Sequence, residues 1–214
     1  MQFTITLAII VITVLVSISA FNNQKIMDDL IFYAPAIKQR NQWYRFLTHG
    51  LIHGDFFHLI FNMYALYSFG TSLERNFSDP LIFGQAGRWI YLLLYVSALV
   101  VASIPDYIKH RNNYHFKSLG ASGAISAVIF GSIVLTPGSK IGIMFIPVGI
   151  PAYLFAVIYL GISAYLDRKG GTNINHGAHF WGAIYGLLFT VGFLKGFSDY
   201  DFVGNFLYQI GFNR

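Results

Sequence analysis

Residues 118–139 read SLGASGAISAVIFGSIVLTPGS and contain no charged side chain. The run opens on Gly120-Ala121-Ser122-Gly123 and closes on Thr136-Pro137-Gly138. A bilayer's hydrocarbon core takes about 20 apolar residues in helix, with a range of roughly 17–25. This run has that length and composition, so it reads as a span, placed at 118–136. A hydroxyl at Ser122 serves no solubility role there, and its small neighbours leave it open.

Working outward, charge is also absent from 1–24, 56–73, 89–105, 141–166 and 170–194. Only 11% of the 214 residues are charged and 55% are hydrophobic, whereas soluble domains carry about 25% charged residues. Backbone polar groups cannot go unpaired in lipid, so runs of this length form helices. The expected fold is all-α, a polytopic membrane protein with one domain over 1–214. Its six spans fall at about 3–21, 56–73, 89–104, 118–136, 143–166 and 176–194, followed by a short tail at 195–214. Pro105 should end the third span, and Pro147 and Pro151 should bend the first turns of the fifth. Ser17 and Ser19 offer small residues at cleavage spacing. No Lys or Arg precedes that first run, however, and it exceeds a signal-peptide core, so it reads as a retained span.

The connection from Asn22 to Asp55 is aromatic at Tyr33, Trp43, Tyr44 and Phe46, as headgroup-level segments are, and its length favours packed structure. The loop 167–175, with Gly170-Gly171, reads as a mobile cover. Lys and Arg favour the side holding the first connection over the side holding the termini, which points the termini outward. Cysteine is absent, so neither disulfides nor a thiol nucleophile enter. The net charge of +5 is spread over the loops and suits lipid headgroups rather than nucleic acid.

Polar groups inside spans are expensive and are functional candidates. All nine acids (Asp28, Asp29, Asp55, Glu74, Asp79, Asp106, Asp167, Asp199 and Asp201) fall in loops, tails or span ends. That counts against proton-coupled transport and against an aspartyl dyad. The absence of an internal repeat also speaks against a transporter, and no His-Glu-x-x-His run supplies a zinc site. Four groups remain: Ser122, His179, His58 and Asn62. Ser122 and His179 lie a few residues into spans of equal parity, and His58 and Asn62 begin a third, sharing one helical face. All four therefore meet at one depth. Ser122 alone reads more simply as packing, while His179 alone, or His58 with Asn62, reads equally as helix–helix glue or as function; their convergence favours a site.

Ala178, Gly182 and Gly186 on one helix, and Gly120, Gly123, Ala124, Ala127 and Gly131 on the other, are small faces that allow close approach. His179 would act as general base on Ser122. The Ser122 N–H, His58 and Asn62 would be oxyanion donors. A dyad fits better than a triad, with Asp55 and Asp167 the acids near enough to be considered. Position 124 is alanine, so the pattern is not the hydrolase nucleophile elbow.

These residues resemble the rhomboid family of intramembrane serine proteases. Gly120-Ala121-Ser122-Gly123 is similar to the family's Gly-x-Ser-Gly. Ala178-His179-Phe180-Trp181-Gly182 with Gly186 is similar to its last-helix motif. The run from His49 through His53 and His58 to Asn62 is similar to the start of its second helix, and Tyr44-Arg45 to its first-loop Trp-Arg. Glu74 fits the acid after the second helix. The resemblance implies a minimal six-helix bundle in a bacterial plasma membrane with both termini cytoplasmic, opposite to the charge distribution. It implies cleavage of single-span membrane proteins near small-residue, helix-destabilised sites, without cofactor or metal. Gly120, Gly123, Gly182, Gly186, Arg45 and Glu74 are the implied structural supports. His49 and His53 look structural in the family; a metal site built from them is the outside alternative. Many relatives stack an aromatic residue, four positions after the serine, on the histidine. Here that position is Ser126. A catalytically inactive relative that binds membrane clients is the competing function. Oligomeric state is left open.

Overall fold

The computed structural model describes residues 4–142, 149–172 and 174–212. Helix α1, Ile5–Phe21, begins at Thr4, whose side chain accepts from the Leu7 N–H. The following connection folds into α2 (Gln24–Leu30), α3 (Ala34–Arg40), α4 (Arg45–Thr48) and a 3-10 turn at His49–Leu51. Asn23 caps α2, and Asn41 ends α3 in the left-handed region at φ 56°. This segment buries Phe32, Ile37 and Phe46 in a small core of its own. Arg45, itself buried, donates to the carbonyls of Asp28 at 2.8 Å and Ile31 at 2.6 Å, and to Gln42 at 2.7 Å. One guanidinium fork thus closes the loop on itself.

Helix α5 (Phe56–Ala65) runs through a π-helical stretch at Leu66–Gly70 directly into α6 (Thr71–Phe77). Helix α7, Gly87–His110, does not stop at Pro105 as expected. Membrane helices tolerate an internal proline where neighbours hold the freed backbone groups, and the last turn therefore carries Asp106 into the packed interior. The 118–136 span is corrected at its start. Ser118 pairs with Phe32 as an isolated bridge, and Gly120, at φ +108°, turns the chain while its N–H donates to the His49 carbonyl. Helix α8 is consequently Ser122–Leu135, and Ser122 is its first residue.

The fifth span is corrected as well. Gly149–Pro151 is strand β2, antiparallel to β1 (Lys140–Gly142), and helix α9 occupies Ala152–Lys169. Pro151 precedes the helix rather than bending it; Pro147 lies outside the described residues. Helix α10 is His176–Phe197. The expected tail forms helix α11, Phe202–Gln209, whose Asn205 and Gln209 amides donate to the Leu135 carbonyl at 3.0 and 3.1 Å. They satisfy an orphan acceptor at the end of α8.

Helix α8 lies at the centre, packed on α10, α7, the π-helical stretch, α6, α9 and α11, and every residue of it but Ser122 is buried. It is about 21 Å long at 1.5 Å per residue. Among the described residues, 84–110 and 176–197 are the helices long and apolar enough to cross a bilayer unaided, while α1 and α8 are apolar but shorter.

Candidate active site

Helices α8 and α10 touch backbone to backbone. A Cβ on Gly182 would stand 2.0 Å from the Gly123 carbonyl oxygen, and one on Gly186 would stand 2.1 Å from that of Ala127. Gly123 in turn faces Ala178, whose carbonyl oxygen lies 3.3 Å from its would-be Cβ. At this spacing the fourth residue of α10 reaches the first of α8, and His179 Nε2 lies 2.7 Å from Ser122 Oγ. A hydroxyl proton directed at a neutral imidazole nitrogen is the arrangement that can generate an alkoxide nucleophile. As the first residue of α8, Ser122 presents a backbone N–H that has no partner within the helix, at its positive end.

His58 stands over the turn before Ser122, its ring 2.9 Å from where a Gly120 Cβ would be. Glycine is required there twice over, for the ring and for the positive φ. Gly54 N–H approaches His58 Nδ1 at 3.4 Å, which leaves Nε2 to carry the ring proton. Asn62, one turn on, donates from Nδ2 to the His58 carbonyl at 2.9 Å, and its second N–H is left for another acceptor. Ser122, His179, His58 and Asn62 all line one cavity of about 870 Å³. Gly170, Thr172 and Ile174 of the loop after α9 contribute to its wall; residue 173 of that loop lies outside the described residues.

Of the two acids considered as third members, one is spent on a helix cap and the other sits against the first turn of α10. Asp55 caps α5, accepting from the His58 N–H at 2.8 Å. Asp167 lies beside Gly177, its carboxylate 2.7 Å from that residue's would-be Cβ. Among the described residues, no carboxylate is hydrogen-bonded to His179. The implied supports are elsewhere: Arg45 in the first loop, and Glu74 buried at the N-terminus of α1. Glu74 accepts from the Ile5 N–H at 2.7 Å, the Thr6 N–H at 2.9 Å and the Thr6 hydroxyl at 2.7 Å.

His49 and His53 are both buried, each bonded to its own serine. Ser103 gives its proton to the Leu99 carbonyl at 2.9 Å, so His49 Nε2 donates to Ser103 Oγ at 3.1 Å. Ser17 gives its proton to the Leu51 carbonyl, so His53 Nδ1 donates to Ser17 Oγ at 3.0 Å. Burial pushes the His49 imidazole down to about 4, against the opposing hydrogen bond to Leu99. Burial, aided by His58, pushes His53 down to about 3. Among the described residues, no group of three or more His, Cys, Asp or Glu is placed to hold a metal ion.

Three positions, Asp106, Asn175 and Tyr159, carry more than the sequence suggested. Asp106 is buried and accepts from Asn175 Nδ2 at 2.5 Å, and the same amide nitrogen donates to Ser118 Oγ at 2.9 Å. Asn175 Oδ1 accepts from the Ala178 N–H at 3.0 Å, capping α10. This network ties the end of α7, the approach to Ser122 and the first turn of the histidine helix. The aromatic residue absent at position 126 is met from another helix: Tyr159 of α9 lies against His179. Asn175 before an apolar run was a legible cap signal; nothing local marked Tyr159.

The rhomboid domain family matches residues 40–196. The mitochondrial RHOMBOID-like protein 12 of Arabidopsis thaliana is 28% identical over 183 residues, covering 82% of this chain and 54% of that protein. The mitochondrial presenilin-associated rhomboid-like protein of Rattus norvegicus is 32% identical over 139 residues, covering 63% of this chain and 34% of that protein. YdcA of Bacillus subtilis, provisionally named a rhomboid protease, is 29% identical over 151 residues, covering 70% and 66%. The chain spans about half the length of the first of these relatives and a third of the second. With a match over most of its length, the chain is a helical membrane protein that belongs to the rhomboid family.

Proposed function

We propose that this protein is an intramembrane serine endopeptidase acting on single-span membrane proteins. The observation that carries the reading is the 2.7 Å contact between Ser122 Oγ and His179 Nε2, on the wall of a cavity large enough to admit a peptide. In this reading His179 removes the Ser122 proton as Oγ attacks the scissile carbonyl. The tetrahedral oxyanion is met by the Ser122 N–H, His58 Nε2–H and Asn62 Nδ2–H, all held before substrate arrives. His179 then returns its proton to the leaving amine, and water, activated by the same imidazole, releases the acyl group from Ser122. An extended, small-residue segment is the substrate feature that fits, since a helical peptide hides its carbonyls in its own hydrogen bonds.

The fuller topology belongs to the same proposal. It has six crossings built on α1, α5–α6, α7, α8, α9 and α10, and both termini on one side. In the same proposal the stretch after α9 that carries Gly170, Thr172 and Ile174 covers the cavity; residues 167–169, expected in that loop, belong to α9. Two of the three relatives named are mitochondrial proteins, so the bacterial plasma membrane expected from the resemblance is not carried over.

The test is purified protein with a single-span substrate, in parallel with Ser122→Ala and His179→Ala. Cleavage and fluorophosphonate labelling by the wild type, both lost in Ser122→Ala, are the expected result. Cleavage that survives Ser122→Ala would overturn the mechanism. A wild type that binds the substrate without cleaving it would establish the alternative, a catalytically inactive client-binding relative.

A further inference from the structure

His179 meets Ser122 through its nitrogen and a second partner through its face. The Tyr159 ring lies with its centroid 6.4 Å from that of His179 and its plane 23° away, within the range of offset stacking. The Tyr159 hydroxyl is 2.6 Å from Ser126 Oγ, and Ser126 Oγ donates to the Ser122 carbonyl at 2.8 Å. A serine hydroxyl carries one proton. With that proton on the Ser122 carbonyl, the Tyr159 O–H is the donor to Ser126. The contacts therefore close a circuit: Ser122 to His179, His179 to Tyr159, Tyr159 to Ser126, and Ser126 back to Ser122. Phe130 and Phe155 flank the tyrosine at 5.6 and 5.5 Å and narrow its ring to this pose. Ser126 is buried in the core of α8, where an unpaired hydroxyl would be unfavourable.

We propose that Tyr159 and Ser126 are the positioning pair for His179. The tyrosine ring sets the imidazole plane, and the serine four residues after Ser122 fixes the ring. The proposal rests on the reading of Ser122 and His179 as the catalytic pair. It has a mechanical consequence. Helix α9 fully buries only Ala152 and Ser163, whereas α8 is buried throughout beyond Ser122. The base is thus oriented by the most loosely seated of the central helices, and an outward shift of α9 takes the ring off the histidine.

The experiment uses the full chain, purified, with a fluorogenic single-span substrate. Tyr159→Leu is expected to lower kcat by roughly 100-fold, the scale of a misplaced catalytic group, with KM within about threefold and the acid limb of the kcat–pH profile displaced. Tyr159→Phe and Ser126→Ala each remove only the anchor, so each is expected to lower kcat by about 5-fold, and the double variant is no worse than either single. Moving the ring to α8, as Ser126→Tyr with Tyr159→Leu, recovers at least about 10-fold of the loss. Unfolding midpoints are measured throughout. If Tyr159→Leu does not fold, the single-oxygen pair Tyr159→Phe and Ser126→Ala decides the matter. A folded Tyr159→Leu with kcat within about twofold of wild type, or additive losses in the anchor pair, overturns the proposal. The His179 ring resonances in histidine-labelled protein give a readout independent of turnover: they move on Tyr159→Leu, and unmoved resonances overturn the proposal even if the wild type proves to cleave nothing. Absence of cleavage and of Ser122 labelling in the wild type defeats the endopeptidase reading instead.

Discussion

Gly182 lies so close to Gly123 that a single methyl group would stand 2.0 Å from the Gly123 carbonyl oxygen. Because that atom is backbone at the core of the bundle, no rotamer change relieves the clash. Gly182→Ala and Gly186→Ala are each expected to destabilise the protein by about 3 kcal/mol or more, the upper range for overpacking, and to abolish fluorophosphonate labelling of Ser122. Gly192→Ala, with nothing within 4 Å of its would-be Cβ, should be neutral or stabilising by up to about 1 kcal/mol. Thermal unfolding in detergent checks all three; equal behaviour at 182 and 192 would refute the close-approach account.

Glu74 places a carboxylate on the N-terminus of α1, where its oxygens accept from Ile5, Thr6 and the Thr6 hydroxyl. Glu74→Gln keeps one acceptor oxygen and loses the charge that complements the helix dipole. A loss of about 2 kcal/mol is expected. His58 and Glu74 are separated along one helical stretch by about 24 Å, so kcat at a temperature where the variant is folded should match wild type. A variant that is fully stable but slow would contradict this placement.

Asn175 spends its whole amide at once, on Asp106, Ser118 and Ala178. Asn175→Ala removes a helix cap, about 1 kcal/mol, and strands the buried Asp106 carboxylate. Asp106→Ala strands the amide in turn. Each single variant should lower stability and kcat, and the double variant should lose less than the sum by at least about 1 kcal/mol. Additive losses would show that the two residues act separately.

The buried His49 is neutral in the fold, with its pKa pushed down to about 4, whereas the unfolded chain takes a proton near the ordinary 6.5. Between those values the unfolded state binds more protons, so the His49 contribution is complete above about pH 6.5 and declines as pH falls toward 4. The decline is expected to be on the order of 3 kcal/mol. An unfolding series from pH 7.5 to about 4 should show the wild type losing stability on acidification. His49→Gln, which does not titrate there, should have a flatter profile; identical slopes would remove His49 from the account.

Much of the architecture could be read along the chain because lipid imposes a local rule. A segment without charge must close its own backbone hydrogen bonds, and that marked the helices at 5–21, 56–77, 87–110, 122–135 and 176–197 to within their ends, whereas the fifth, expected from 143, begins at Ala152 after strand β2. The ends themselves departed where a distant residue intervened. Helix α8 starts at Ser122 rather than Ser118, because Ser118 pairs with Phe32 and Gly120 bonds to His49. Helix α7 runs past Pro105, and its last turn carries the buried partner of Asn175.

The sequence by itself determined which side chains are available: one serine between glycines, histidines at 58 and 179, and small residues spaced to let two helices touch. Those choices are local, since periodicity puts them on faces whatever the fold. Only the tertiary structure decided what stands behind the histidine. Tyr159 reaches Ser126 across 33 residues, and Asp106 reaches Asn175 across 69. No spacing rule links positions on helices whose relative rotation is set by packing. A stacking ring missing from one helix can be supplied by its neighbour, because the imidazole responds to a ring's place in space and not to its place in the chain.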